Sequence, residues 1–462
     1  MSGEFICDTP KMTRFIWHPT GFHPPIVLAL LFFVLLTIAI LSSVVAGQAA
    51  AGNSPQPFAM AQKLLASDRE SNEEFGAVVV MSQDNRFMLV GAPAKHVDGY
   101  IRRGQIYIYE RDGNNQWVEI QKLTAADGSH GDRFGSSIAI AHAPDYTIIV
   151  GAPSAEEGWA EQVGAAYVFA YNGSSWSQQT RLPIIEEDDE LIQYDRRGTA
   201  VAITSDGSRV FVGAPPAGSG SPRPGAIYVL ARSGNSWSQE EKIMGPMDNA
   251  AAIGQALLVT DNDTALLAAG WHYPSESFNE RGIVRVYRRP NATWEEVAVL
   301  TPSDGLVDDH FGEALAVSHD AQTLLIGAPR HNRQAYVFTA SGESWTEQAI
   351  LTPPNSSPYG FFGNSVAMDA TGQKMAVGAW YLGSGGIHLF EKSDSTWEHV
   401  QTLHRSNDDL ERLGWAVAMS GSGDMIAGGA THADSNKPII EDGGAVYVFM
   451  PSYLIHLPFV MK

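Results

Sequence analysis

The 462-residue sequence predicts an all-β chain, a seven-bladed β-propeller of four-stranded antiparallel blades, preceded by one N-terminal transmembrane helix. Three observations predict the ring. One phrase recurs seven times, each copy holds short stretches of strand character, and an orphan strand before the first copy answers a missing strand after the last. Self-similarity at a fixed period marks a repeat architecture. Four-stranded sheets bury their two faces against neighbours, and a closed ring of them leaves few free edges.

The first strand of each unit opens on a glycine: Gly76, Gly135, Gly198, Gly254, Gly312, Gly363 and Gly414. Before them stand Phe75, Phe134, Arg197, Ile253, Phe311, Phe362 and Leu413, and the spacings run from 51 to 63 residues. The second strand ends on a glycine 14–16 residues later, read as Gly91, Gly151, Gly213, Gly270, Gly327, Gly378 and Gly428. Four of these continue as Gly-Ala-Pro; the others read Gly270-Trp271, Gly378-Ala379-Trp380 and Gly428-Gly429. Proline ends a strand where no further ladder bond forms.

The third strands are β-branched and aromatic, as in Gln105-Ile-Tyr-Ile-Tyr109 and Ala445-Val-Tyr-Val-Phe449, and are bounded by turn residues. A polar turn and a tryptophan open the fourth strand at Trp117, Trp176, Trp237, Trp294, Trp345 and Trp397. These tryptophans are expected between adjacent blades. The seventh unit stops after its third strand near Met450. The orphan Phe58-Ala-Met-Ala-Gln-Lys-Leu-Leu65 is therefore expected to complete it and pin the chain ends together.

Residues 26–46 carry no charge over 21 positions, about the length that spans a hydrocarbon core. Lys11 and Arg14 precede the segment and no Lys or Arg follows until Lys63, which leaves the N-terminus cytoplasmic and the rest outside. A cleaved signal peptide is the alternative, and it exports the chain equally. The chain divides into a leader (1–25), this segment (26–46), a linker (47–57), the propeller (58–450) and an apolar tail (451–462). Cys7 is the only cysteine, so no intrachain disulfide forms.

The Phe-Gly…Gly-Ala-Pro pairing resembles the FG-GAP repeat that builds the propeller of integrin α subunits, over about 58–450. The resemblance implies an extracellular adhesion or ligand-binding module. Several family members hold calcium between the first and second strands in Asp-x-Asp-x-Asp-Gly-x-x-Asp. Here that turn offers mostly one carboxylate (Asp84, Asp145, Asp206, Asp320, Asp369, Asp424), and only Asp261-Asn262-Asp263 offers two. Calcium takes roughly six to eight oxygen ligands, and a lone Asp is ordinary turn chemistry. No metal and no cofactor is expected.

In an up-and-down blade, the loop between strands two and three and the loop to the next blade emerge on one face. About 28 of the 51 acidic residues fall in those loops. Candidate ligand residues on this face are Glu186, Glu187, Asp188, Asp189, Glu190, Asp304, Asp308, Asp309, Asp408 and Asp409. The bland reading is solvated acidic loops. The sharper reading is a surface for a basic protein partner or a cation. Trp271 and Trp380, which interrupt Gly-Ala-Pro, are candidate sugar platforms in a lectin-like alternative. A net charge of −21 disfavours nucleic acid.

No catalytic constellation is legible: the histidines show no ligand spacing, and thiol chemistry beyond Cys7 is absent. An enzyme is not expected; a propeller hydrolase would need carboxylates converging on the axis. Asn172, Asn262, Asn291 and Asn355 begin glycosylation sequons in predicted turns.

Overall fold

The computed structural model describes residues 57–142, 145–158, 160–185, 193–215, 225–246, 253–260, 266–270, 282–306, 308–354, 360–381, 385–404, 411–433, 435–436, 439–440 and 443–455. The leader, the apolar segment 26–46 and most of the linker lie outside them. Among the described residues no helix is long and apolar enough to cross a membrane.

After strand β1 (Phe58–Leu64), the first blade consists of β2 (Val78–Met81), β3 (Phe87–Ala92), β4 (Gln105–Arg111) and β5 (Trp117–Leu123), hydrogen-bonded in that order. Five more blades repeat the pattern, with innermost strands Ser137–Ala141, Ala200–Ile203, Ala256–Val259, Leu315–Val317 and Val366–Met368. The seventh has three strands of its own, Leu413–Met419, Ile426–Ala430 and Ala445–Pro451, and β1 is its fourth. β1 runs antiparallel to Ala445–Pro451, from Phe58 opposite Pro451 to Leu64 opposite Val446. The orphan strand thus closes the ring, as its sequence predicts. Gln401 of blade six clasps the main chain of Phe58 through both amide atoms, at 2.8 and 2.9 Å.

The seven innermost strands pack side by side around the axis, β2 meeting both the strand at 137–141 and the one at 413–419. Glycine makes this crowding possible. A Cβ on Gly151 would lie 2.0 Å from the carbonyl oxygen of Gly198, and one on Gly327 would lie 1.9 Å from that of Gly363. The glycine ending the second strand of one blade thus abuts the glycine opening the next blade. The opening glycines also have φ between +84° and +97°, which L side chains rarely adopt. The repeated phrase is a blade-to-blade junction written once per blade.

That junction corrects two of the second-strand glycines. In blade seven Ala416 pairs with Gly429, and a Cβ on Gly429 would lie 2.0 Å from the Gly76 oxygen, so Gly429 and not Gly428 holds the position. In blade four Ala256 pairs with Ala269, so alanine stands there and Gly270 follows it. The small-residue runs Ala-Ala-Gly and Gly-Gly-Ala hid the register.

The cores lie between blades. Trp176 meets Phe87 of the preceding blade edge-on at 5.4 Å, and Trp294 meets Phe211 at 5.3 Å. Such pairs add roughly 0.5–1.5 kcal/mol beyond the area they bury. Trp117, Trp176, Trp237 and Trp294 are buried; Trp345 and Trp397 are partly so, packed on the clusters of their own junctions. Each opening aromatic packs edge-on against the third strand of its own blade, Phe75 on Tyr107 at 5.1 Å and Phe311 on Tyr336 at 5.3 Å. One helical turn, Ser452–Ile455, follows the last strand, and Leu454 and Ile455 pack on the core between blades seven and one.

Candidate functional site

The two loop sets that share a face are tied together in the same way blade after blade. In four blades, two residues before the opening phenylalanine or leucine, a main-chain carbonyl accepts a hydrogen bond from the loop after the second strand. The pairs are Ala94 N to Glu73 O, Ser154 N to Asp132 O, Arg330 N to Asp309 O and His432 N to Glu411 O, each at 3.3 Å. The residue that follows is left-handed in six blades: Glu74, Arg133, Arg196, His310, Phe361 and Arg412, at φ 48–59°.

The acids at this position are structural. Glu73, Asp132, Asp309 and Glu411 are buried. The Asp309 carboxylate accepts from the main-chain N–H groups of Leu306 at 2.5 Å and Asn332 at 3.0 Å, one in each loop. Glu73 pairs with the buried ammonium of Lys95, which also donates to the Asp68 carbonyl at 2.6 Å. Burial pushes the Glu73 carboxyl up to about 7 against the pull of Lys95.

A second brace uses the tyrosine of the third strand. The hydroxyls of Tyr107, Tyr228 and Tyr336 donate to Asp68, Asp195 and Asp304, each at 2.8 Å, and Tyr447 donates to Glu411 at 2.6 Å. Burial, then the adjoining carboxylate, raises Tyr107 and Tyr336 well above their ordinary range. The fourth strands add an outer clasp: Gln121 bridges to the Trp176 main chain at 2.7 and 2.8 Å, and Gln62 to that of Trp117 at 2.9 Å.

Of the candidate ligand residues, Asp304 is held by Tyr336 and by Gln334 Nε2 at 3.3 Å, Asp309 is buried, and Asp308 is half-buried with φ +64°. Glu186, Glu187, Asp188, Asp189, Glu190, Asp408, Asp409 and Trp271 lie outside the described residues. Trp380 is half-buried. Phe361 stacks on it at 5.0 Å, Trp415 lies at 4.7 Å, and the Arg412 guanidinium sits 5.0 Å over its ring. Sequence reasoning found Trp380 but missed Phe361, Arg412, Trp415 and Tyr381, which gather where blades six and seven meet. Their signal was available: Phe361, Arg412 and Trp415 each stand within two residues of an opening glycine. Asn172 and Asn291 sit in exposed turns, while Asn262 and Asn355 lie outside the described residues.

The loop face also carries exposed apolar side chains. Tyr100, Ile101, Ile185, Tyr194, Leu306 and Tyr381 range from 39 to 58% exposed.

The opposite face carries the single acids of the first turns, and these cap their own turns. Asp320 accepts from the Ser318 hydroxyl at 2.5 Å and Gln322 N at 3.0 Å, which holds its carboxyl below the usual range. Asp206 does the same with Thr204 at 2.6 Å and Ser208 N at 2.9 Å. Among the described residues no group of three or more His, Cys, Asp or Glu could hold a metal ion.

The FG-GAP repeat family matches residues 58–109, 117–169, 294–338 and 345–390. No curated protein matches the chain. The β-propeller domain of Cps50 (Swd1) from Myceliophteria thermophila is similar in fold, with a TM-score of 0.54 at 10% identity over 84% of this chain and 98% of that one. At that identity the likeness speaks for the fold alone. With seven four-stranded blades and the repeat matched over those stretches, the chain is an FG-GAP repeat-containing seven-bladed β-propeller, consistent with the integrin-type propeller family.

Proposed function

We propose that the propeller is a non-catalytic binding module that captures a protein ligand on its loop face, tethered to a membrane through residues 26–46 with the ring outside. The observation that carries this reading is the pairing of a rigid base with exposed anchors on one face. Buried acids and tyrosines lock the loops from beneath, and Tyr100, Tyr194 and Tyr381 stand out from them with Ile101, Ile185 and Leu306. Tyrosine carries much of the energy in protein interfaces, and loops already ordered cost less to bind. The acidic loops favour a basic partner and a salt-dependent association rate.

Capture by the exported propeller from cell-surface and matrix fractions tests it. Substituting Tyr100, Ile101 and Tyr194 by serine should abolish recovery of the partner. Replacing Glu186, Glu187, Asp188, Asp189, Glu190 and Asp308 by Ser and Asn should slow association and flatten its salt dependence. Unchanged capture by both variants would remove the loop face as the site. Sequencing the mature N-terminus tests the tether, which fails if the chain begins after residue 46.

A further inference from the structure

On the face opposite those loops, the junction of blades one and two forms an open cleft of about 460 Å³. That is within the range of roughly 300–1,000 Å³ typical of small-molecule sites. Arg86, His142, Asp145, Tyr146, Tyr171 and Asn172 line it, with Gly173. Arg86 is fixed by Glu110 at 2.8 Å and by the Tyr171 hydroxyl at 3.2 Å. Its guanidinium lies 5.7 Å over the Tyr146 ring and 5.3 Å over that of Tyr171. The His142 ring stands edge-on to Tyr146 at 4.9 Å. Two tyrosines and an imidazole offer apolar surface, and the guanidinium and Asp145 offer hydrogen bonds. This mixture suits a pyranose ring with an amide substituent.

The rim of this cleft is a sequon, Asn172-Gly173-Ser174. The Asn172 side chain is exposed, and its Oδ1 accepts from Ser174 N and Ser174 Oγ at 3.0 Å and from Ser175 N at 2.9 Å. Its Nδ2 donates only to Ser175 Oγ, at 3.2 Å. Blade one makes the same turn with Asp112, which accepts from Asn114 N and Gln116 N at 2.8 Å. The turn alone therefore needs only an Asx residue. What distinguishes blade two is an asparagine among the residues that line a cleft.

We propose that Asn172 carries an N-linked glycan and that its first N-acetylglucosamine seats in this cleft against Tyr146 and His142. The donor is a polyprenyl-pyrophosphate-linked oligosaccharide. A bond forms from Asn172 Nδ2 to C1 of the sugar, the C1–oxygen bond to the pyrophosphate breaks, the pyrophosphate leaves with that electron pair, and Nδ2 gives up one proton. The inference rests on export of the ring, but not on ligand capture by the other face. A sugar seated here would screen the blade one–two junction and leave the loop face open.

The test is the full chain made in a glycosylating eukaryotic cell, followed by glycopeptide mass analysis and release by an amidase acting on the native protein. Asn172 should be occupied. Its glycan should be released about tenfold more slowly than from Tyr146→Ala or His142→Ala, a difference worth roughly 1.4 kcal/mol. The second variant guards against loss of the Tyr146–Asp84 hydrogen bond in the first. An unmodified Asn172 beside a modified Asn291 overturns the proposal while leaving export intact. No glycan on either asparagine overturns the proposal and export together. Release from the parent at the rate of both variants overturns the seat.

Discussion

The hydroxyl of Tyr336, on the third strand of blade five, donates to the carboxylate of Asp304 in the preceding loop at 2.8 Å. The same relationship joins Tyr107 to Asp68, Tyr228 to Asp195 and Tyr447 to Glu411. Part of the acidity of the loop face therefore fastens loops to blades. Tyr336 has a second acceptor, Gln334 Oε1 at 2.6 Å, so losing Asp304 weakens the brace without leaving the phenol unpaired.

Asp304→Ala should accordingly cost about 0.5–1.5 kcal/mol, read as a lower urea midpoint. Adding Tyr336→Phe should cost less than it does in the parent, because the bond between the two residues is already gone. Capture of a protein ligand should persist in the double variant. Additive losses would mean that the pair is not coupled.

The glycine junctions give a sharper contrast. Gly151→Ala places a methyl 2.0 Å from the Gly198 carbonyl oxygen, between two main chains that cannot both withdraw. It should destabilise by about 3 kcal/mol or more. Gly113→Ala, in a turn where a Cβ meets nothing within 4 Å, should stay within about 0.5 kcal/mol. Equal thermal midpoints for the two variants would mean that the junction tolerates bulk.

The ring was legible because its constraint is periodic: a glycine pair recurs at six of the seven junctions, with Ala269 against Gly312 at the other, and an odd strand at one end answers a gap at the other. Register was illegible where neighbouring residues are all small, as at Ala268-Ala269-Gly270 and Gly428-Gly429-Ala430. Only the pairing of Ala256 with Ala269 and of Ala416 with Gly429 resolves those runs. The charge pattern misled in a different way. A count of acids cannot separate Asp309, buried against two main-chain N–H groups, from an acid that faces solvent. The Trp380 cluster was half visible, because its members meet across blades and lie far apart in sequence.

Closure by β1 leads to a prediction about dynamics. The clasp of Gln401 on Phe58 holds the first residue of that strand to blade six. Gln401→Leu removes both hydrogen bonds and should speed amide exchange in 58–64 and 445–451 before any other blade. Exchange spread evenly over all blades would show that closure does not depend on this clasp.

Blade six holds a buried histidine that makes stability depend on pH. Tyrosine fills the central third-strand position in five blades (Tyr107, Tyr167, Tyr228, Tyr336, Tyr447), and His388 stands there in blade six. Burial, with His399 adding to it, lowers the His388 imidazole from 6.5 to about 4. Its facing groups are the Thr402 hydroxyl at 3.1 Å, the Phe362 ring at 5.3 Å and the His399 ring at 5.7 Å, and none of them is an anion. Between those pH values the unfolded chain binds a proton that the folded chain refuses. The stability contributed is therefore complete above about 6.5 and is lost as pH falls toward 4. Protonation of Glu73 acts in the opposite sense between pH 7 and pH 5, so the measure is a difference. Over that interval the melting temperature of His388→Phe, which keeps the contact with Phe362, should shift a few degrees in the stabilising direction relative to the parent. An unchanged acid sensitivity in the variant would assign it to other groups.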